Sequence, residues 1–284
     1  RKTLTGTMCP SYMATRNEID STRGRANALR VALTSGLGST GLADAELRPV
    51  LDLCLECKAC KRECPTGVDM ARLKGEFLHQ QHQAHGASLK ERLLSRADLL
   101  GEWGSRLAPL SNWALGTGAA RQFNARIFGL DPRRPLPTFA ARPFHRHFRP
   151  AASAEDGPTV ALYADTFNNF YEPAHLHAAA GLLAGAGARV IAPPRICCGR
   201  PLISKGRRAE ESVAALLPLA QAGVPILFAE PSCHSAVIDD HPRLLRGQTA
   251  EDAQRVADAS LLVEDWLARQ EVKFTSGPQK ILLH

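Results

Sequence analysis

The chain has 284 residues, 44% of them hydrophobic and 22% charged, with 35 Lys and Arg against 28 Asp and Glu for a net charge of +7. That size accommodates two domains of ordinary globular composition, and no run approaches the eighteen apolar residues that would suggest a membrane-spanning helix. The basic excess sits in residues 1–150 (23 Lys and Arg, 13 Asp and Glu) and reverses in 151–284 (12 against 15), yet it is not interleaved with aromatics and matches no nucleic-acid reader, so nucleic acid is excluded as a partner.

The chain starts at Arg1 without methionine, and its first cysteine is Cys9, followed by Pro10. Ala26, Leu29, Ala32 and Leu33 recur at helical intervals and predict a helix over 23–34, capped by Thr22 and ended by Gly36 and Gly38. A second helix, over 43–53, leads into Cys54-Leu-Glu-Cys57-Lys-Ala-Cys60-Lys-Arg-Glu-Cys64-Pro65. Three cysteines at intervals of three, a fourth after three more residues and then proline match the ferredoxin run for a 4Fe–4S cluster. A short loop with two-residue gaps wraps three thiolates around one face of a cubane, and the fourth cysteine of such a run serves another cluster. Cys9-Pro10 supplies the complementary ligand. The expected set is therefore Cys9, Cys54, Cys57 and Cys60 around one cluster, with Cys64 reaching a second whose other ligands lie outside this chain. Zinc would favour separated pairs of cysteines or added histidines, and a disulfide framework suits small secreted chains with a signal segment. The pattern reads as reduced, cytoplasmic and metal-binding.

Asp69 opens a predicted helix over 70–85 that Gly86 closes, and Ser88 caps another carrying a stripe of Leu89, Leu93, Leu94, Ala97 and Leu100. His79, His82 and His85 alternate with glutamines and read as a solvated face. Two weaker helical patterns follow over 104–130. Six prolines (Pro132, Pro135, Pro137, Pro143, Pro150 and Pro158) then mark 131–158 as an extended linker, and His145 and His147 within it receive no function.

Beyond the linker the pattern becomes α/β. Strands are expected at 159–164, 188–192 and 225–229, with helices over 173–186 and 208–222, a long amphipathic helix over 250–270 and the start of a last strand at 279–284. This order implies a mostly parallel sheet with right-handed crossovers, and places Cys197, Cys198 and Cys233 at its carboxyl edge. Those thiols read either as a metal or redox site or as buried structural cysteines; His234, next to Cys233, reads as a loop residue. No phosphate-cradling loop or nucleophile elbow is present, and the glycines of 183–188 end a helix where a dinucleotide loop would begin one.

Met8-Cys9-Pro10-Ser11-Tyr12, Ser21-Thr-Arg-Gly-Arg-Ala-Asn-Ala-Leu-Arg30 and Cys64-Pro-Thr-Gly-Val-Asp-Met70 resemble the iron–sulfur part of large FAD-linked D-2-hydroxyacid dehydrogenases of the D-lactate or D-2-hydroxyglutarate type. Cys197-Cys198-Gly199-Arg-Pro-Leu-Ile-Ser-Lys-Gly206 and Glu230-Pro-Ser-Cys233 resemble their cysteine-rich domain, shared with the C subunit of anaerobic glycerol-3-phosphate dehydrogenase and with heterodisulfide reductase. The resemblance implies an α plus α/β architecture: an all-helical ferredoxin-type domain over 1–130, the linker over 131–158, and the first half of a Rossmann-like cysteine-rich domain over 159–284. It implies a piece of a longer electron path, with FAD in a missing flavin domain or partner subunit and a quinone, cytochrome or other acceptor downstream. Arg23, Arg25, Lys58, Lys61 and Arg62 are the expected tuning charges. Peripheral association with the inner face of a membrane stays open, as do the readings of a separate iron–sulfur subunit and of a scaffold with a structural cluster. Thr166 and Ala236 stand where the family has two further cysteines, leaving three thiols in this half, too few for a closed four-ligand site.

Overall fold

A computed structural model describes residues 9–34, 44–150, 157–200, 205–270 and 272. Gly36, Gly38 and the expected last strand lie outside them. The chain falls into two units, residues 1–92 and 93–284. The expected boundary at 131–158 therefore differs from the observed division, for reasons visible in what that segment packs against.

The first unit is helical throughout its described residues: α1 (Pro10–Thr15), α2 (Thr22–Thr34), α3 (Arg48–Asp52), α4 (Ala59–Glu63), α5 (Met70–His85) and α6 (Leu89–Leu94). Its core joins Leu29 and Ala32 of α2 to Leu47, Leu51, Cys60, Met70 and Phe77. Asp69 caps α5 through Arg72 N–H (3.1 Å) and Gly86 ends it with a positive φ of 75°, as expected. Ser88 and Glu91 cap α6 reciprocally, each accepting the other's backbone N–H (3.2 and 2.8 Å). The expected cap of α2 is corrected. Ser21 accepts Gly24 N–H (2.9 Å), while Thr22 lies in the helix and turns its hydroxyl to Cys9. The helix expected over 43–53 is a 3₁₀ turn, Ala45–Leu47, followed by the short α3.

Residues 93–150, which include the last two residues of α6, belong to the second unit. They form α7 (Ala97–Arg106), α8 (Ala108–Gly116), α9 (Gly118–Phe128) and α10 (Phe144–His147). The stripe read as one helix from Leu89 to Leu100 is broken by a turn at Ser95 and Arg96.

The rest of this unit holds the parallel sheet, ordered β2-β1-β3-β4, with β1 (Thr159–Tyr163), β2 (Arg189–Ile191), β3 (Ile226–Phe228) and β4 (Ser260–Leu262). Its helices are α11 (Thr166–Phe170), α12 (Pro173–Gly185), α13 (Lys205–Gln221), α14 (Pro231–Ser235), α15 (His241–Leu244), α16 (Gly247–Asp258) and α17 (Val263–Arg269). Side chains alternate between the two faces of the sheet. Val160, Leu162, Val190 and Leu227 pack against α12 and α17. Tyr163, Ile226 and Phe228 pack against α13 and α16. The single helix expected over 250–270 is corrected: it is interrupted by β4, which pairs with β3 in register Leu227 to Leu261. Satisfying the edge of β3 outweighs continuing the helix, and Ser260 Oγ closes α16 on Val256 O (2.7 Å).

The segment read as a surface linker has inward anchors. Phe144 is fully buried in the sheet's core, Ala140 N–H reaches Phe170 O (2.7 Å), and the Asn112 amide pairs with both backbone groups of Phe139 (2.9 and 2.8 Å). Buried Glu102 on α7 receives Arg106 (2.9 Å), Arg146 and Arg195 (3.2 Å), tying the helix, the proline-rich segment and the loop after β2 together.

Gly24 tests the corner before α2. A Cβ there would run into the carbonyl oxygen of Glu18 and the backbone of Ile19. Helix propensity favours Ala by only about 0.5–1 kcal/mol, whereas overpacking against fixed backbone costs about 1–3 kcal/mol. Gly24→Ala is expected to lower the stability of the first unit in thermal or denaturant unfolding; equal or raised stability would contradict this packing.

Candidate metal centre

The geometry of the cysteine loop begins with its backbone. Cys54 follows the last turn of α3, its N–H bonded to Leu51 O (3.0 Å). Glu56 (φ 53°) and Lys58 (φ 59°) then take left-handed conformations before α4 begins at Ala59. Left-handed non-glycine residues cost about 1–2 kcal/mol each, and a loop that turns successive N–H groups to one side forms a concavity suited to an anion. Cys9, preceding α1, is left-handed as well (φ 54°).

Cys9, Cys54, Cys57 and Cys60 line one cavity, together with Ser11, Thr22, Arg25, Met70 and Ala71. Cys64 is not among its lining residues. Cys60 is buried and accepts Met70 N–H (3.4 Å); burial pushes its thiol up, against hydrogen bonds from Met70 and Lys61 that lower it. Cys9 Sγ lies 2.8 Å from Thr22 Oγ1. Among the described residues no three His, Cys, Asp or Glu side chains are drawn together at metal-holding distances. A shared cavity lined by four soft thiol ligands fits the chemistry of an iron–sulfur cluster, whose assembly is coupled to ligand deprotonation.

Of the five expected tuning charges, Arg25 alone lines this cavity through a buried guanidinium. Its Nε donates to Val50 O (3.0 Å), Nη2 donates to Ser11 Oγ (2.9 Å), and Nη2 is 3.7 Å from Asp20. Lys58 also borders the cavity, and with Lys61 and Arg62 it lines an open groove beside exposed Cys57. Arg23 points elsewhere, to Glu18 (2.8 Å). The sequence reads Thr22 as a helix cap and gives Ser11 and Met70 N–H no role at the site, because no spacing rule marks hydroxyls or backbone donors that reach a site through tertiary packing.

Cys64 caps the end of α4, 3.1 Å from Thr66 Oγ1. Hydrogen bonds from the Thr66 hydroxyl and from the backbone of Val68 and Thr66 hold its thiol below the usual range. Its ionisation is thus easier than that of an ordinary cysteine, and it does not line the four-cysteine cavity.

The other three cysteines meet at the carboxyl ends of β1 and β3. Cys198 Sγ and Cys233 Sγ are 3.1 Å apart, all three thiols are buried, and the Thr166 hydroxyl hydrogen-bonds Cys197. Ala236 is buried next to them. Cys197 is pushed well up by its hydrogen bond with Cys198 and then by burial; for Cys198 the bond with Cys197 lowers the pKa, and Cys233 and burial together outweigh it. For Cys197 and Cys198 the thiol form is therefore favoured. His234 turns its ring to Ser260 O (3.3 Å), away from any ligand role. Tyr163 hydroxyl closes the floor on Ile196 O (2.5 Å).

Peptide-resolved alkylation of the cluster-free chain across a pH series should find Cys64 reacting at lower pH than Cys60. Thr66→Val should move the Cys64 profile upward and leave Cys60 where it was. An unchanged Cys64 profile in that variant would remove the hydroxyl as its cause.

Residues 5–68 match the family of 4Fe-4S dicluster domains. Across 95% of its length the chain is 24% identical to a D-2-hydroxyglutarate dehydrogenase of Pantoea ananatis, covering 31% of that protein. It is 27% identical to the C subunit of the anaerobic glycerol-3-phosphate dehydrogenase of Escherichia coli, over 64% of this chain and 48% of the relative. A probable glycolate oxidase iron-sulfur subunit of Bacillus subtilis is 36% identical over 31% of this chain and 19% of its own. The chain thus spans about a third to a half of the first two, and no solved structure matches it significantly. The chain carries a 4Fe-4S dicluster domain at residues 5–68 and is related, over nearly all of its length, to D-2-hydroxyglutarate dehydrogenases.

Proposed function

We propose that this chain is the electron-transfer portion of an FAD-dependent oxidoreductase acting on a D-2-hydroxyacid, D-lactate or D-2-hydroxyglutarate. Substrate oxidation belongs to a flavin domain or subunit outside residues 1–284, and the electrons pass on to a quinone, cytochrome or other acceptor. The observation that carries this reading is the single cavity lined by Cys9, Cys54, Cys57 and Cys60. Those four thiols would hold one 4Fe–4S cluster, and Cys64 would serve a second. A bound cubane supplies one-electron exchange at a potential set by hydrogen bonds to sulfur, local charge and exposure.

The chain's own residues account for the rest. Met70 N–H donates to the Cys60 sulfur, and buried Arg25 contributes a fixed positive charge that favours anionic thiolates and raises the potential. Cys57 stands at the exposed side, beside a groove bordered by Lys58, Lys61 and Arg62, which suits an acidic redox partner. The α/β unit resembles a cysteine-rich domain, but Thr166 and Ala236 leave Cys197, Cys198 and Cys233 without a fourth thiol. In this half we assign a packing role to the three thiols, since all three are buried and Cys198 and Cys233 pack within the apolar cluster of Tyr163 and Phe228. The relation to the glycerol-3-phosphate dehydrogenase component favours a second version, in which the same carrier is a separate polypeptide docking on a flavoprotein.

Anaerobic reconstitution followed by iron and acid-labile sulfide analysis tests the assignment. About four irons per chain are expected, with a visible absorption bleached by dithionite. Cys9→Ala should reduce the iron content and Cys197→Ala should leave it unchanged. A full, reducible cubane in Cys9→Ala would remove Cys9 from the ligand set, and a cluster that resists reduction would leave a structural role in place of electron transfer.

A further inference from the structure

The helices α7–α9 invert the usual arrangement of a surface helix. Trp103, Leu107, Leu110, Trp113, Phe123 and Ile127 are each 53–69% exposed, while α8 buries only Ala108 and α9 buries no residue. Ordinary amphipathic helices turn such side chains inward, and a concentration of large exposed apolar groups marks a surface that meets something. The segment is ordered by polar anchors: Asn112 on the backbone of Phe139, Ser111 on Gly104 O (2.7 Å), and Thr117 capping α9 through Ala120 N–H (3.2 Å). These place the apolar side chains outward without a core of their own.

The charge around them selects the occupant. Residues 107–130 contain no Asp or Glu, and their only charged side chains are Arg121 and Arg126. Residues 93–150 carry nine arginines against three acids. Arg106 lies over the ring of Trp103, 5.0 Å from its centre. Exposed tryptophans and leucines bordered by arginine, with acids absent from α8 and α9 and Glu102 of α7 buried among arginines, form the composition of helices that lie in the headgroup region of an anionic bilayer. A second copy of this chain is disfavoured, because a two-fold contact of this face would gather four arginines over α8 and α9, which carry no acid of their own to offset them. Neither helix can span, since nine and eleven residues rise only about 14–17 Å against about 30 Å of hydrocarbon.

We propose that the exposed apolar face of α7–α9 seats this chain peripherally on an anionic lipid surface, with Trp103 and Trp113 at the level of the headgroups and Arg121 and Arg126 paired with lipid phosphates. This inference stands apart from the electron-transfer reading. A chain that assembles a reducible cluster and ignores vesicles loses the first and keeps the second, and the reverse result does the opposite.

The test uses the full reconstituted chain and vesicles of phosphatidylcholine alone or mixed with phosphatidylglycerol. Sedimentation should show binding to the anionic vesicles that weakens with salt. The chain has three tryptophans, and the third, Trp266, is buried in the sheet's core. Brominated lipid should therefore quench emission from Trp103 and Trp113 and leave that of Trp266. Leu110→Ser/Trp113→Ser, both at exposed positions, should weaken partition by about tenfold or more, with unchanged circular dichroism and iron content. Arg121→Glu/Arg126→Glu should abolish the preference for phosphatidylglycerol. Absence of binding to anionic vesicles at low salt overturns the proposal, as does binding that survives both double variants. Self-association, or capture of a flavoprotein, that needs this face while vesicles are ignored would overturn it in favour of a protein interface.

Discussion

One buried guanidinium sets the geometry on which the first unit depends. Arg25 reaches Ser11 and Asp20, on the corner that carries Cys9, and Val50, on the helix that delivers Cys54. Two segments some forty residues apart are thereby held at the separation their cysteines need to share a cavity. A buried charge of this kind is expensive to leave unpaired, and removing one partner costs about 3–5 kcal/mol. That penalty discourages alternative packings of α1 against α2. Asp20 in turn accepts the Thr15 hydroxyl (2.7 Å), so the end of α1 is fastened as well. The cation serves the fold and the proposed cluster together, because the site that must be built is anionic.

The second unit uses the mirror-image device. Glu102 is a buried anion approached by Arg106, Arg146 and Arg195, with His145 3.6 Å away. It brings a helix, a proline-rich stretch and a loop into one neighbourhood, and it explains why residues 93–150 travel with the sheet. Charge at this centre remains in positive excess, so the segment that holds α8 and α9 is basic for structural reasons before it is basic for any partner.

Legibility in the sequence followed the range of the interactions. The cysteine run was readable because its spacing is covalent, and Asp69 and Gly86 announced α5 because caps act within one turn. Strands β1 and β3 were visible as short apolar runs whose ends fell within a residue or two of those observed. Thr22 and Ser21 are equally good capping hydroxyls in the sequence, and only the fold shows that Ser21 caps α2 while Thr22 is taken up by Cys9. The strand β4 was invisible for a similar reason: Ser260-Leu-Leu continues a helical pattern in phase, and what makes it a strand is the unpaired edge of β3. Phe144 sat among prolines that suggested a free linker, and its burial is a tertiary event. The meeting of Thr166 with Cys197 is legible in part, since the resemblance puts Thr166, after β1, where the family has a cysteine.

The exposure of Cys57 has a chemical consequence. With a cluster held as proposed, one corner would be in contact with solvent while Cys60 shields another. A corner open to a protein partner is equally open to dioxygen and peroxide, which reach it without needing any complementary surface. The domain would gain quick exchange at the cost of endurance in air, so the cluster's lifetime would be governed by whatever covers that corner between turnovers.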